Sequence, residues 1–533
     1  MEFIMDEALD KRIVEIKEII RQEILVFKET GHKFLNKEIT SAQFKPDSGA
    51  MGVYAQRSGK EFMLRLRVLS GVMDLKTLAF LQDIVKEYAL DFIHFTTRQT
   101  VQLHNLQFDD MISIMEKCLE QDIITRGGGG NYPRNVSLSP LSGVEEGEAF
   151  DVTPYALFVN KYFVSQINTY KLPRKFKVAF SNGAQDSANA TIADIGFLAV
   201  NHEGNEYFKV YIGGSLGVNA EQAILYDELV DPGDVLYHIE AALSLFREEG
   251  DYENKSKARI RYIVKRLGKE AFLECYKKHL EQIKKTQELE IQFKQMQEER
   301  AEGADYEIPM ETVAAIPQKQ KHLYSVEIHP QGGILYTDAF HRILAFLSRV
   351  DNVQVRLSME ESMVVRNLTA IQAEELLELT KDIRMTTRLN RSISCIGVPI
   401  CQIGVQSSQT LLADLINYFK EKGMTEDLLP SIAISGCVNS CARHQTGKIG
   451  FMGKKKRVKD TMEDVYLLYV DGETSEKNTR LAKEYGDLPA SDIPEFLFKL
   501  ALCLKDRQLE FEQYLMAYEE EFNALVSKYV VVS

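Results

Sequence analysis

The sequence predicts an α+β protein with a pseudo-twofold, duplicated architecture, and three observations carry that prediction. A segment of 43 residues recurs without a gap. Both copies run through the same order of strand and helix periods. The longer stretches that follow them differ in composition: one is rich in glycine and basic residues, the other holds four closely spaced cysteines.

The repeat joins residues 64–106 (LRLRVLSGVMDLKTLAFLQDIVKEYALDFIHFTTRQTVQLHNL) to residues 326–368 (VEIHPQGGILYTDAFHRILAFLSRVDNVQVRLSMEESMVVRNL) at an offset of 262. Gly71 meets Gly333, Leu78 meets Phe340, Leu81 meets Ile343, Val85 meets Leu347, and Asn105-Leu106 meets Asn367-Leu368. A register held over this length marks a duplication. Each copy opens with a short alternating strand that ends in Gly. A helix follows, with apolar residues three and four apart, and then two more short strands. Two such β-α-β-β units can pair into one sheet. They differ where chemistry would show: Thr97-Arg98-Gln99 in the first is Met359-Glu360-Glu361 in the second. A cation has become an anion, so only one copy would face an anionic ligand there.

Around the repeats, the expected divisions are a helical segment 1–45, repeat 1 at 46–120, a larger α/β region 121–305, repeat 2 at 306–385, and a second larger α/β region 386–533. The stretch from Glu270 to Ala304 reads as a long charged helix linking the halves, or alternatively as a partner-binding arm.

Bulk composition narrows the function. The 533 residues carry 64 basic and 78 acidic side chains, a net charge of −14, which argues against wholesale nucleic-acid binding. No stretch approaches the roughly 18–20 apolar residues of a membrane span. The opening MEFIMDEALDK has no secretory pattern, so a cytoplasmic protein is expected. Two basic clusters stand out: Lys255, Lys257, Arg259, Arg261, Lys265 and Arg266, and Lys454, Lys455, Lys456, Arg457 and Lys459. They are either solvated faces or contacts for an anionic cofactor or an acidic partner.

Cys395 and Cys401 form C-x5-C, and Cys437 and Cys441 form C-x3-C. Four thiolates so placed can hold a 4Fe-4S cluster. Zinc knuckles use shorter spacings, and nothing marks the chain as secreted, which disfavours disulfides. Cys118, Cys275 and Cys503 lie in helical patterns and read as packing residues.

Three stretches of the first half place cations near turns or strand ends. TTRQT supplies Arg98. RGGGGNYPRNV supplies Arg134 after a Gly run and Arg126 before it. KLPRKFKVAF supplies Arg174, Lys175 and Lys177. On a strand, Lys175 and Lys177 project from one face and Arg174 from the other. Paired ammonium groups repel unless solvent or an anion lies between them. Gly127–Gly130 lacks the Lys-Ser/Thr of a phosphate loop, and Gly213-Gly214-Ser215-Leu216-Gly217 is a turn or a close backbone approach to a flat ligand.

Together these motifs resemble the siroheme-dependent sulfite and nitrite reductases, over nearly the whole chain. C-x5-C followed by SGCVNSCARHQ and IGFMG is similar to the family's cluster signature. TTRQ, RNV and LPRKFK resemble its siroheme and substrate motifs, in the expected order. The resemblance implies siroheme and a 4Fe-4S cluster, with Cys395, Cys401, Cys437 and Cys441 as cluster ligands and Cys441 bridging to the siroheme iron. It implies that Arg98, Arg134, Lys175 and Lys177 line the face where a small inorganic anion binds, that Arg98 and Arg134 also touch siroheme, and that Arg174 contacts siroheme carboxylates. The repeats would then be ferredoxin-like half-domains, and the larger regions a siroheme-binding domain and a cluster domain.

The implied reaction is six-electron reduction of sulfite to sulfide, or of nitrite to ammonia. The second lysine of PRKFK resembles sulfite reductases, while plant-type nitrite reductases place Asn at the position of Lys177. SGCVNSCARHQ and IGFMG look more like the nitrite branch. The expectation leans to sulfite. Two departures stand out. Ser139 occupies a position where some members carry a Cys beside a Tyr resembling Tyr54, and Val438 stands where Pro is common. No flavin or nicotinamide fingerprint is present, so electrons are expected from a separate ferredoxin docking on residues such as Lys454 to Arg457, with a flavoprotein subunit as the runner-up. A non-catalytic Fe–S carrier or sensor would need the cysteines but not the Arg and Lys set.

Overall fold

A computed structural model describes residues 6–292, 315–458 and 460–531. Repeat 1 forms β1 (Val53–Ala55), β2 (Phe62–Leu66), β3 (Val72–Met73), a helix Leu75–Glu87, β4 (Phe92–Phe95) and β5 (Val101–Leu106). The helix starts where Asp74 accepts from the Thr77 amide at 2.8 Å. Its buried face is Leu78, Leu81, Ile84 and Val85, the three-and-four spacing of the sequence. Next come β6 (Ser137–Leu138), β7 (Val178–Ser181), β8 (Ile195–His202), β9 (Asn205–Ile212) and β10 (Ile224–Val230), then a helix Val235–Glu249.

Repeat 2 forms β11 (Ala315–Pro317), β12 (Tyr324–Ile328), β13 (Ile334–Tyr336), a helix Thr337–Leu347, β14 (Gln354–Leu357) and β15 (Met363–Leu368). The last region holds β16 (Ile393–Ser394), β17 (Ile432–Ser435), β18 (Ile449–Val458), β19 (Thr461–Val470) and β20 (Lys483–Pro489), then a helix Ile493–Arg507.

The repeats do not merge into one sheet. Each builds its own five-stranded sheet and lends one strand to the other, giving the orders β1-β2-β5-β4-β13 and β11-β12-β15-β14-β3. β13 lies antiparallel to β4, with Leu335 opposite Ile93, and β3 lies antiparallel to β14, with Met73 opposite Val355. The sequence pattern puts a Gly at the end of each first strand; in the fold those strands end earlier, at Leu66 and Ile328, and the Gly closes the short turn just before the exchanged strand. Gly71 and Gly333 have φ of 73° and 72°, a left-handed turn that swings the next strand towards its partner's sheet.

The duplication also reaches further than the sequence reading found. In both larger regions three strands pair in parallel, and each of the last two pairs antiparallel with the strand before it: β6-β7-β8-β9-β10 and β16-β17-β18-β19-β20. One steric detail repeats as well. A Cβ on Gly196 would stand 2.0 Å from the Ala190 carbonyl oxygen, and one on Gly450 2.0 Å from that of His444. The contacted atoms are backbone and cannot rotate away. Gly450→Ala is therefore expected to lower stability by about 2–3 kcal/mol, measured by denaturant unfolding; an unchanged midpoint would contradict this packing.

The charged stretch from Glu270 differs from its expectation. The helix is Lys269–Thr286, and Gln287 is extended. Phe272, Tyr276, Leu280 and Ile283 are buried, and the Tyr276 hydroxyl lies 2.7 Å from His238 Nδ1 on the helix Val235–Glu249. It packs as part of the domain rather than standing free. Residues 293–304 of the expected helix lie outside the described residues, as do residues 1–5 of the N-terminal segment.

One apolar core runs from the helix Asp6–Leu35 through both repeats to Leu377, and a second from Leu389 to Val526. The helix Ile493–Arg507 supplies the second core with Phe496, Leu497, Leu500 and Leu504. Cys118 is fully buried, and Cys275 and Cys503 are partly so, as packing residues should be.

Candidate active site

The four singled-out cysteines sit just beyond the carboxyl ends of two adjacent parallel strands. This is the edge at which parallel sheets of α/β regions present their ligands. Cys395 follows β16, and Cys437 and Cys441 follow β17. Cys401 closes a tight loop in which its amide donates to the Gly397 carbonyl at 2.7 Å. Ser440 and Arg443 adopt φ of 52° and 59°, which lets the short loop around Cys441 turn back on itself.

Burial pushes the Cys395 thiol up to about 12, and it pushes Cys401 and Cys437 up as well. The thiols also act on one another, and Cys441 raises all three of the others. Several donors already point at sulfur. The Gly436 amide lies 3.1 Å from Cys395 Sγ, and Asn439 Nδ2 lies 3.5 Å from Cys437 Sγ. Among the described residues no three His, Cys, Asp or Glu groups converge tightly enough for a single metal ion. Four thiols spread at longer range suit the corners of a polynuclear cluster, which would bind them deprotonated.

Facing them is a cluster of cations. Arg98 lies at the tip between β4 and β5, where Gln99 has a φ of 53°. Its guanidinium donates to the Asn135 carbonyl, and Asn135 Nδ2 returns a 3.1 Å bond to the Arg98 carbonyl. At the same tip Thr97 Oγ1 donates to the Cys441 carbonyl at 2.7 Å, so the repeat touches the cysteine loop directly. Arg134 donates to the Gly128 and Gly130 carbonyls. The Gly run thus holds an arginine with its carbonyls instead of cradling a phosphate. Arg126 points elsewhere, to Glu23.

Lys175 and Lys177 flank Phe176 in the extended lead-in to β7 rather than within the strand, and Phe176 bridges to Pro133. Both ammonium groups keep some accessible surface yet lie deep inside the protein, so they line an interior recess. Burial comes first in depressing Lys175 to about 7; Arg259, Arg134 and Arg174 add to the effect. Lys177 is driven further down by burial, Arg98, Lys175 and Arg259. Arg174 shares the neighbourhood, lowered by burial and by Arg259.

The recess adds Asp194, which the sequence does not single out, and draws in Arg259, Arg261 and Gly217 from the basic cluster and the glycine turn. Asp194 is fully buried, accepts from the Lys177 amide at 2.8 Å, and takes two bonds from the Arg259 guanidinium at 2.9 and 3.0 Å. Its negative charge acts on both Arg98 and Lys177, opposing the effect of burial. Arg261 donates to the Leu216 and Val218 carbonyls and lies 3.8 Å from a Cβ placed on Gly217. Gly217 exchanges bonds with Gln445 at 2.8 and 3.0 Å, so the glycine turn after β9 abuts the cysteine loop. Arg259 and Arg261 belong to the basic run 255–266, whose other members Lys255, Lys257, Lys265 and Arg266 are exposed. An isolated acid such as Asp194 leaves no pattern in a sequence.

Cations therefore outnumber acids in a buried space, and the Nε atoms of Arg98, Arg134, Arg259 and Arg261 have no partner among the described residues. Such a space suits a ligand carrying several carboxylates, and siroheme carries eight. The donor chemistry thus fits both a cluster on the cysteine side and a polyanionic macrocycle against the cations.

A pH effect follows. Between pH about 7 and the usual lysine value of 10.5, the unfolded chain binds a proton at Lys175 that the folded, cofactor-free chain does not. Stability of the cofactor-free protein should rise with pH across that window. The rise should shrink when a polyanion fills the recess, shrink in Lys175→Met, and be lost only when Lys177 is replaced as well, as followed by melting temperature.

Elsewhere, the second copy's tip serves a different role. Glu360 pairs with Arg443, and buried Glu361, pushed up to about 8 by burial, accepts from the Ser394 amide at 3.2 Å. Ser139 bonds Ser187 at 2.6 Å, while Tyr54 packs against Gly129 beside Arg134. Lys454 and Lys456 pair with Asp487, and Lys455 with Asp464; Lys459 lies outside the described residues. A surface depression of about 810 Å³ between Lys86 and Tyr336 has none of the recess residues in its lining.

Comparison with known proteins bears on this arrangement. Residues 54–121 match the family described as "Nitrite/Sulfite reductase ferredoxin-like half domain", and residues 129–284 match "Nitrite and sulphite reductase 4Fe-4S domain". The first match includes Arg98; the second includes Arg134, Arg174, Lys175, Lys177, Asp194 and Arg259 but stops short of the four cysteines. A ferredoxin–nitrite reductase of Synechococcus elongatus is 26% identical over 83% of this chain and 86% of its own length. A sulfite reductase (ferredoxin) of Mycolicibacterium paratuberculosis is 26% identical over 82% and 80%. The structure of the Mycobacterium tuberculosis NirA protein superposes with a TM-score of 0.76 at 21% identity, covering 91% of this chain and 92% of that one, a likeness of fold.

Proposed function

The chain belongs to the nitrite and sulfite reductase family that works with siroheme and a 4Fe-4S cluster, and we propose that it reduces sulfite to sulfide with electrons from a ferredoxin. The carrying observation is the excess of buried cations around Lys175 and Lys177. A doubly charged oxyanion offsets more of that charge than a singly charged one.

When bound, siroheme and the cluster supply the anion's iron site and the electron relay. Cys395, Cys401, Cys437 and Cys441 would hold the cluster, with Cys441 also ligating the siroheme iron. Arg174 would take siroheme carboxylates, as would Arg98 and Arg134. Arg98 and Arg134 also present guanidinium forks to the anion's oxygens and keep it oriented. Lys175 Nζ, with a value near 7, is matched to give a proton at neutral pH and regain it from water. Lys177 Nζ adds charge where oxygen leaves as water. Asp194 holds Arg259 and the Lys177 backbone in place, so these cations stay put as charge develops.

One observation favours nitrite as a second reading. Burial disfavours the charged form of Lys177, which weakens the recess's preference for the doubly charged anion. Side-by-side turnover of sulfite and nitrite by the cofactor-loaded protein with reduced ferredoxin decides between them. A higher kcat/KM for sulfite is expected. Lys177→Asn should move the ratio towards nitrite by about tenfold or more. A nitrite preference in the unaltered protein overturns the sulfite assignment.

A further inference from the structure

The cysteine site has a second side. Cys441 faces the cation-lined recess, whereas Cys401 lies beneath a loop that reaches solvent. That loop is firmly held: the Val398 amide donates to the Gln406 carbonyl at 3.1 Å, and the Val405 amide to that of Gly436 at 2.9 Å. Even so, Ile403 is 53% and Val405 37% exposed. Two apolar side chains held out into water, directly over a thiol of the electron store, ask for a partner surface.

The surroundings identify its charge. The Arg57 amide donates to the Ile400 carbonyl at 3.2 Å, so the tip between β1 and β2 rests on the loop. Lys60 is exposed on the same tip. Lys45, on the helix Ser41–Ala50, lines a small cavity together with Gln402. Among the described residues, Lys45, Arg57 and Lys60 form no ion pair, and all three are exposed. The acids on these elements are Asp47 and Glu61, and Glu61 is engaged by Ser58. Lys454, Lys455 and Lys456, which border the loop through the bond from Gln406 to the Lys454 carbonyl, are already ion-paired, Lys454 and Lys456 sharing Asp487 and Lys455 with Asp464.

We propose that this face docks a small acidic iron–sulfur protein, its acids on Lys45, Arg57 and Lys60 and its apolar rim on Ile403 and Val405. The proposal rests on the reductase reading. It moves the docking site from the paired lysines of β18 to the loop over Cys401. In a chain of net charge −14, most of the surface repels an acidic carrier. A local cluster of free cations then both attracts and orients it. Each encounter passes one electron from the reduced carrier to the oxidised cluster, with no bond made or broken.

Two measurements test this on the cofactor-loaded protein. The first is calorimetric titration with an oxidised acidic 2Fe-2S ferredoxin at low and high salt. The second is turnover driven by that ferredoxin, or by reduced methyl viologen. For Lys45→Glu/Lys60→Glu, the Kd should rise about tenfold or more at low salt and lose most of its salt dependence. Viologen-driven turnover should stay unchanged. Ile403→Ser should weaken binding without altering its salt dependence. An unchanged Kd in the charge-reversed protein overturns the proposal, as does an unaltered protein that fails to bind the ferredoxin. If viologen yields neither sulfide nor ammonia, the reductase reading falls instead, and calorimetry still decides the docking face.

Discussion

Replacing Lys175 and Lys177 together by methionine should lower sulfite turnover by about 10²-fold or more, the scale of losing a preorganised charge from a reacting site. The cluster's spectrum should persist, because neither lysine bonds a cysteine. The cofactor-free variant should be more stable than its parent. Burial and the mutual repulsion with Arg259, Arg134 and Arg98 oppose both ammonium groups, and apolar side chains of similar length avoid that cost. Loss of turnover with gain of stability is the signature of cations retained for chemistry. A variant that kept full activity would remove these lysines from the mechanism, and one that lost stability would show that they support the fold.

The second large effect belongs to Cys441. Cys441→Ser should abolish turnover and remove both the cluster signal and the siroheme absorbance, because this residue adjoins every other thiol and the recess alike. Cys503→Ser, at a packing position on the helix Ile493–Arg507, should keep both signals. Retained siroheme with a lost cluster in Cys441→Ser would assign this cysteine to the cluster alone.

Much of this could be read in the chain because the relevant signals are local. Spacing carried the cysteines, and period carried the β-α-β-β units. The strand exchange was hidden because β3 and β13 span only two and three residues, too few for an alternation to register. The wider duplication was hidden because its strands are joined by loops of unequal length and its matched positions have changed chemistry. Ser139 follows β6 as Cys395 follows β16. Asp194 and Arg259 are 65 residues apart, and only the fold brings them together. For Lys454 to Lys456 the charge can be counted in the sequence, while its pairing with Asp487 and Asp464 cannot.

The exchanged strands also set an order of events during synthesis. Val72 and Met73 wait for Val355 and Arg356, roughly 280 residues later. At translation rates of about 5–20 residues per second, the wait is about 15–60 s. Until then the first half exposes the open edge of β4, where β13 belongs, a site at which nascent chains can pair wrongly. Neither half should be obtainable alone as a well-behaved fragment. Co-expression of residues 1–305 and 306–533 as separate chains should instead recover the complex, each fragment acting as the other's chaperone.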